Sequence, residues 1–226
     1  MKATTVTPNL IQLTKFGLIN AYLVREDDGF TLVDTTLSAG DDLIAAAVDA
    51  GAEIRRIVLT HGHSDHAGSV DQLRAKLGPE VPVLLSEPDT KLLGGETVDF
   101  GPGGKKRGGW PKLGTTIDTV LSPGDMVASL RAVASPGHTP GHLAFLDTRD
   151  NSLIAGDAFS SVGGLAVPNH PHWRFPLPWA ATGNRPQALE SARALRSLDP
   201  TVLVVGHGPA LTNPATEMDA AITAAG

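Results

Sequence analysis

Short apolar runs alternate with segments of helical period along most of the chain. LINAYLV (18–24) and FTLVD (30–34) read as strands joined through a turn at Asp28-Gly29. Leu43, Ile44, Ala47 and Val48 then share one helical face, with Ser38 placed to cap that helix and Gly51 to stop it. RRIVLT (55–60) has the composition of a buried strand. Val70, Leu73 and Leu77 return to helical spacing before Gly78-Pro79, and VPVLLS (81–86) is again strand-like. The second half repeats the idiom. MVASLRAVAS (126–135), HLAFLD (142–147) and SLIAGD (152–157) read as strands, the last two joined by the turn TRDN. Asn184 caps a helix through Leu189, Ala192, Leu195 and Leu198; TVLVV (201–205) is a buried strand, and Asn213-Pro214 opens a final helix. Strands accompanied by helices in both halves predict an α/β protein with two packed sheets and helices outside them.

Two segments, 94–115 and 160–183, are rich in Gly and Pro and have no period. Structureless stretches of this length inside a compact domain are usually functional or disordered. No linker or internal repeat divides the chain, so 1–226 is expected to form a single domain.

Composition narrows the function classes. A net charge of −6 gives no basic footprint, so no nucleic acid is expected as partner. The absence of cysteine excludes disulfides, thiolate metal sites and cysteine nucleophiles. No apolar stretch has the length of a membrane span, and the N-terminal residues lack the apolar run of a signal peptide. The expectation is a cytoplasmic protein without a membrane partner, acting on a small molecule. The sequence gives no oligomeric state.

The chemistry is concentrated at strand ends. HGHSDH (61–66) follows the apolar strand RRIVLT directly, placing His61, His63, Asp65 and His66 together where a helix begins. Imidazole nitrogens and a carboxylate crowded in this way suit a divalent metal. Three further polar residues end apolar strands beside glycine: His138 in SPGHTPGH, Asp157 in IAGD and His207 in VVGHG. No G-x-S-x-G elbow offers a serine nucleophile instead.

This order of motifs, H-x-H-x-D-H and then His, Asp and His, resembles the metallo-β-lactamase fold superfamily, closest to its glyoxalase II-like and metallo-hydrolase branch. The resemblance extends from NAYLV and LVDTT near the start to VVGHG near the end. It implies an αβ/βα four-layer sandwich, two mixed sheets with helices on the outer faces, and a dinuclear metal site at one edge. By motif, His61, His63 and His138 would bind one metal, Asp65, His66 and His207 a second, and Asp157 would bridge them. The cofactors implied are two divalent ions, zinc first and iron or manganese as alternatives. Asp34 in LVDTT matches a family aspartate that would support the ligands from behind, and His142, after the HTPG turn, is read either as such a support or as a plain strand-edge residue. A metal-bridging hydroxide, with Asp65 orienting it, would cleave a thioester, ester or lactone.

Departures from related patterns narrow this reading. Zinc β-lactamases generally lack the bridging aspartate, and some use a cysteine ligand; the present chain has Asp157 and no cysteine. The short stretch after His207 leaves little room for the helical domain with which glyoxalase II binds glutathione. Acyl-homoserine lactonases place a tyrosine beside the metals, whereas the one tyrosine is Tyr22 in the N-terminal strand region. A mononuclear iron persulfide dioxygenase and a phosphodiesterase of the same fold are the alternatives. All three tryptophans and several phenylalanines fall in or beside the two long segments. Trp110, His172, Trp173 and Trp179 are therefore the expected substrate contacts, lining a cleft for an apolar acyl group. His170 and the run KKR (105–107) are read as solvated loop residues, although the cations could attract an anion.

Overall fold

A computed structural model describes all 226 residues. The first sheet has seven strands whose spatial order follows the chain: β1 (Lys2–Thr7), β2 (Leu10–Lys15), β3 (Ile19–Glu26), β4 (Gly29–Val33), β5 (Ile54–Val58), β6 (Val83–Ser86) and β7 (Thr119–Leu121). Hairpins make the first four antiparallel, and the longer crossovers make β4 to β7 parallel. The second sheet has six, β8 (Met126–Val127), β9 (Leu130–Ala134), β10 (Leu143–Asp147), β11 (Ser152–Ile154), β12 (Val202–Val204) and β13 (Leu211–Thr212), with one parallel pair, β11 and β12. The helices are α1 (Gly40–Asp49), α2 (Ser64–Ala67), α3 (Val70–Leu77), α4 (Glu87–Leu93), α5 (Leu177–Ala181), α6 (Arg185–Arg196) and α7 (Ala215–Ala225).

Period-two alternation decides which face each side chain joins. Tyr22, Val24, Val33 and Val58 of the first sheet meet Leu130, Leu143, Phe145, Ile154 and Val204 of the second, forming the central layer of core. Their neighbours Leu23, Leu32 and Ile57 point outward, beneath Leu43 and Ala47 of α1 and Val70 and Leu73 of α3. On the far side Ala144, Leu146, Leu153 and Leu203 pack under Ala192 and Leu195 of α6 and Met218 and Ala221 of α7. This is the expected four-layer αβ/βα sandwich. No helix is long and apolar enough to cross a membrane.

Several local expectations are corrected. Ser38 does not cap α1; it adopts a positive φ, and the first amides of the helix are satisfied from α3 and its approach, Ala39 N donating to Ser69 Oγ and Gly40 N to Gln72 Oε1. MVASLRAVAS is a hairpin of β8 and β9, turned at Ala128 with φ 51°. SLIAGD stops being a strand at Ile154 and continues as a single 3₁₀ turn, Gly156–Ala158. The β1–β2 hairpin and the short helix α4 had no strong periodic signal. Asn184 does cap α6, accepting from Gln187 N at 3.2 Å. Segment 94–115 has no helix or strand, and 160–183 has only α5 and one isolated bridge.

Candidate metal centre

The site lies where β5, β9, β11 and β12 run out at one edge of the two sheets. At the end of β4 the backbone turns through Asp34, at φ 61°, so that its buried carboxylate faces the end of β5. It accepts from Thr60 N at 2.8 Å and from Thr60 Oγ1 at 2.8 Å. With its proton committed there, Thr60 Oγ1 accepts from His61 Nδ1 at 3.0 Å, and Asp34 also accepts from His66 Nδ1 at 2.7 Å. These partners place the Nδ1 protons of both rings, leaving Nε2 of His61 with a free lone pair and turning Nε2 of His66 into the site.

The same logic applies to the other rings. His63 Nε2 donates to the Arg107 carbonyl at 3.0 Å, which leaves its Nδ1 unprotonated. His138 Nδ1 donates to Thr182 Oγ1 at 2.9 Å, because that hydroxyl spends its proton on the Pro178 carbonyl. The three free lone pairs converge, His61 Nε2 lying 3.2 Å from His63 Nδ1, itself 3.0 Å from His138 Nε2. None has a hydrogen left to share. Three neutral imidazoles aimed at one point are matched to a cation, and burial holds all three below the usual imidazole range, His63 at about 4.

A second convergence adjoins the first. His207 Nε2 lies 3.3 Å from Asp65 and 3.3 Å from Asp157, while His66 Nε2 lies 3.4 Å from the other Asp157 oxygen. Asp157 also comes within 3.3 Å of His138, so one carboxylate reaches both histidine groups. Burial opposes charge on His207, but the charge of Asp157 and hydrogen bonds to Asp157 and Asp65 raise it to about 9. His66 is likewise raised against its burial, chiefly by Asp157 and then Asp34. The pocket thus draws positive charge. Its buried His66 Nε2 and Asp157 Oδ1 have no hydrogen-bond partner in the protein. Three overlapping groups could each hold an ion: His61, His63 and His138; His61, His66 and Asp157; and Asp65, His66 and His207.

Several groups behind the ligands fix their positions. His142 does not join the ligands: its Nδ1 faces Ser135 Oγ at 2.7 Å, and its Nε2 accepts from Asp157 N at 3.0 Å, bracing the bridging residue. Gly156, at φ 49°, leaves no room for a Cβ beside His142 and Thr60. The sequence reading missed Asp89. From α4 this fully buried carboxylate accepts from Gly62 N at 2.9 Å, Thr139 Oγ1 at 2.8 Å and Gly141 N at 2.9 Å, tying the His61–His63 loop to the His138 loop. Burial raises it to about 6. Also missed was the clamp on the His207 loop. Tyr22 Oη donates to the Val205 carbonyl at 2.6 Å, and Asn20 Nδ2 donates to Val205 and Gly208 carbonyls at 2.9 and 2.7 Å. An acid at the start of a helix and polar residues inside NAYLV were the available signals.

Above the ligands is a cleft of about 350 Å³, walled by Leu18, Ile19, Phe175, Leu177 and Pro178 and floored by His63, Asp65, His138, Asp157 and His207. The aromatic expectation needs correction here. Trp110 packs edge-on behind His63 at 4.9 Å, and its Nε1 donates to the Arg107 carbonyl. His172 and Trp179 line a small side cavity behind Phe175 and Pro178, and Trp173 is 81% exposed with Arg174 against its ring. None of the four lines the cleft. Phe175 does, together with aliphatic residues that carried no signal of their own.

The family model of the metallo-beta-lactamase superfamily matches residues 14–207, a span that includes every residue of this cluster. The chain belongs to that superfamily. It is 42% identical over 218 residues to the uncharacterised protein YobT of Bacillus subtilis (strain 168), covering 93% of each chain. It is 29% identical to the hydroxyacylglutathione hydrolase of Acidiphilium cryptum (strain JF-5), over 85% of this chain and 65% of that enzyme. The crystal structure of TTHA1623 in a di-iron-bound form superposes with a TM-score of 0.65 at 26% identity, covering 95% of this chain and 96% of that one. The DIM-1 metallo-beta-lactamase shares the fold at a TM-score of 0.73 and 16% identity, covering 99% of this chain and 95% of its own. The protein is therefore a metallo-beta-lactamase superfamily hydrolase with a histidine and aspartate metal-binding cluster.

Proposed function

We propose that this metallo-hydrolase holds two divalent ions and cleaves a thioester, ester or lactone bearing an apolar acyl group. The observation that carries the reading is Asp157, whose two oxygens reach His66 on one side and His138 and His207 on the other, directly beneath an apolar cleft. When bound, such ions supply a hydroxide nucleophile near neutral pH and polarise the acyl oxygen. The residues of the chain do the rest. Asp65, whose side chain is 33% exposed, is the carboxylate able to orient the attacking water, take its proton and pass it to the departing sulfur or oxygen. Leu18, Ile19, Phe175 and Leu177 receive the acyl chain and exclude bulk water from it. The His207 clamp and the Asp89 strap hold the ligands still through turnover.

Hydrolases of thioesters among the relatives support the choice of bond: the hydroxyacylglutathione hydrolase above, and a thioesterase, pkgB, of Emericella nidulans, 30% identical over 61% of this chain. A donor set of nitrogen and oxygen suits zinc, the ion proposed first, while the di-iron-bound relative supports iron as the alternative. The acidic balance of the chain supports a small-molecule substrate over nucleic acid. Metal analysis of purified protein, with turnover measured across thioesters, esters, lactones and phosphodiesters, tests the proposal. About two ions per chain and preference for an acyl substrate are expected. One ion under metal-replete conditions, or preference for a phosphodiester, would refute it.

A further inference from the structure

Six arginines of this chain pair with an acid, Arg55, Arg56, Arg74, Arg149, Arg193 and Arg196. Of the five that do not, Arg25, Arg107, Arg131, Arg174 and Arg185, two stand on segments at the same edge of the metal cleft. Arg107 is the residue whose carbonyl receives His63 Nε2, and Gly108 and Gly109 immediately after it line the cleft. Arg185 opens α6, just beyond Ala180 and Ala181, which line the cleft from the other segment. The two segments are joined, Lys105 N donating to the Gly183 carbonyl at 3.1 Å.

The guanidinium of Arg185 lies 4.2 Å over the Trp179 ring, and its Nε is shielded from solvent without any hydrogen-bond partner. Burial and then the charge of Arg107 hold Arg185 below the usual guanidinium range, and no acid offsets either effect. Two arginines without an acid partner therefore stand on joined segments in a chain of net charge −6, with Lys105 and Lys106 beside Arg107. Held by one aromatic stack and opposed by a like charge, this arrangement is matched by an external anion, because a guanidinium offers a planar fork to a carboxylate or phosphate.

We infer that Arg107 and Arg185 form an anion-binding rim of the cleft, and that the substrate carries a carboxylate or phosphate remote from its scissile acyl bond. The inference rests on the hydrolase reading above and adds the substrate class to it. The cleft would then sort substrates by two features at once: an apolar acyl group against Leu18, Ile19 and Leu177, and an anionic group against the arginines.

The test uses metal-loaded full-length protein and three non-cleavable butyl thioethers, made from 3-mercaptopropionate, 2-mercaptoethyl phosphate and neutral 2-mercaptoethanol. Calorimetric affinities are measured for the wild type, Arg107→Ala, Arg185→Ala and the double variant, with Arg131→Ala on β9 as a control away from the site. The matching butyryl thioesters give kcat/KM. Wild type should prefer an anionic probe over the neutral one, and each arginine lost should reduce that ratio about tenfold. The preference should also weaken as salt rises. Preference for the phosphate probe over the carboxylate assigns the anion as a phosphate, and the reverse order assigns it as a carboxylate. An anionic preference that persists undiminished in the double variant would place the anion on the metals and overturn the inference, as would the absence of any preference in wild type. If no thioester is turned over while the thioethers still discriminate through the arginines, the rim stands and the thioester reading fails.

Discussion

Replacing Asp89 separates the stability of this fold from the competence of its metal centre. In Asp89→Ala, Gly62 N, Gly141 N and Thr139 Oγ1 all lose their acceptor. A buried donor without a partner costs about 1–3 kcal/mol, so three would cost at least ~3 kcal/mol. The native carboxylate carries an opposing penalty, because burial raises it from 3.8 to about 6. At ~1.4 kcal/mol for each tenfold in proton affinity, that is ~3 kcal/mol recovered at neutral pH when the acid is removed. The two effects offset each other in part, and the net loss of unfolding free energy should lie between ~0 and ~6 kcal/mol. The metal loops enjoy no such offset. Gly62 lies between His61 and His63, and Thr139 follows His138, so the whole first triad loses its strap while Asp65, His66 and His207 keep theirs. Affinity at the first site should fall about 10–100-fold. Asp89→Asn keeps one acceptor oxygen and should fall between Ala and wild type. Cobalt titration followed by visible absorption, beside urea unfolding of the metal-free protein, reads both quantities. Equal weakening of both sites, or an unchanged first site, would refute the reasoning. The acid also sets a slope with pH. Its folded pKa lies above its unfolded one, so between about pH 4 and 6 the folded state holds the extra proton and stability declines as pH rises. The other titrating groups are common to both proteins, so wild type should lose ~3 kcal/mol relative to Asp89→Asn across that window.

Asp157→Ala should lower metal content at both sites, read by elemental analysis, since its oxygens reach both histidine groups; loss confined to one site would deny it a bridging position. Asp65→Asn should remove most turnover with an unchanged circular dichroism spectrum, and His142→Ala should do less, because His142 acts through the Asp157 backbone; equal and total losses would place His142 among the ligands. Leu177→Ala should raise KM for long acyl chains more than for short ones, whereas the exposed Trp173→Ala should leave chain-length selectivity within about twofold; the opposite ranking would put the acyl group against Trp173.

What the sequence made legible follows from how far each signal reaches along the chain. HGHSDH, SPGHTPGH, IAGD and VVGHG place donors at ends of apolar strands, and the fold brings the ends of β5, β9, β11 and β12 together, so the clustering of these residues was readable from local context. The supports were not. Asp89 acts through three hydrogen bonds to residues 27 to 52 positions away. Tyr22 and Asn20 act on a loop more than 180 residues distant. The polar residues of NAYLV and the acid of SEPD stand out locally, but nothing there names partners so far along the chain. The tryptophans misled for a related reason: aromatic composition identifies a segment that packs on something, without saying whether its rings face the cleft or stand behind the ligands, as Trp110 does behind His63.

Asp34 gives the two proposed metal positions a shared electrical root. One of its oxygens takes the His66 proton directly and the Thr60 proton beside it, and Thr60 in turn takes the proton of His61. Charge placed on His66 Nε2 pulls on the same carboxylate oxygen that sets the basicity of His61 through the hydroxyl. Filling one position therefore changes the donor strength of the other, and thermodynamic reciprocity requires the converse effect to be of equal size. Loading of such a pair proceeds as a coupled equilibrium: the second dissociation constant carries the imprint of the first, and Asp34→Asn should uncouple the two as well as weaken each.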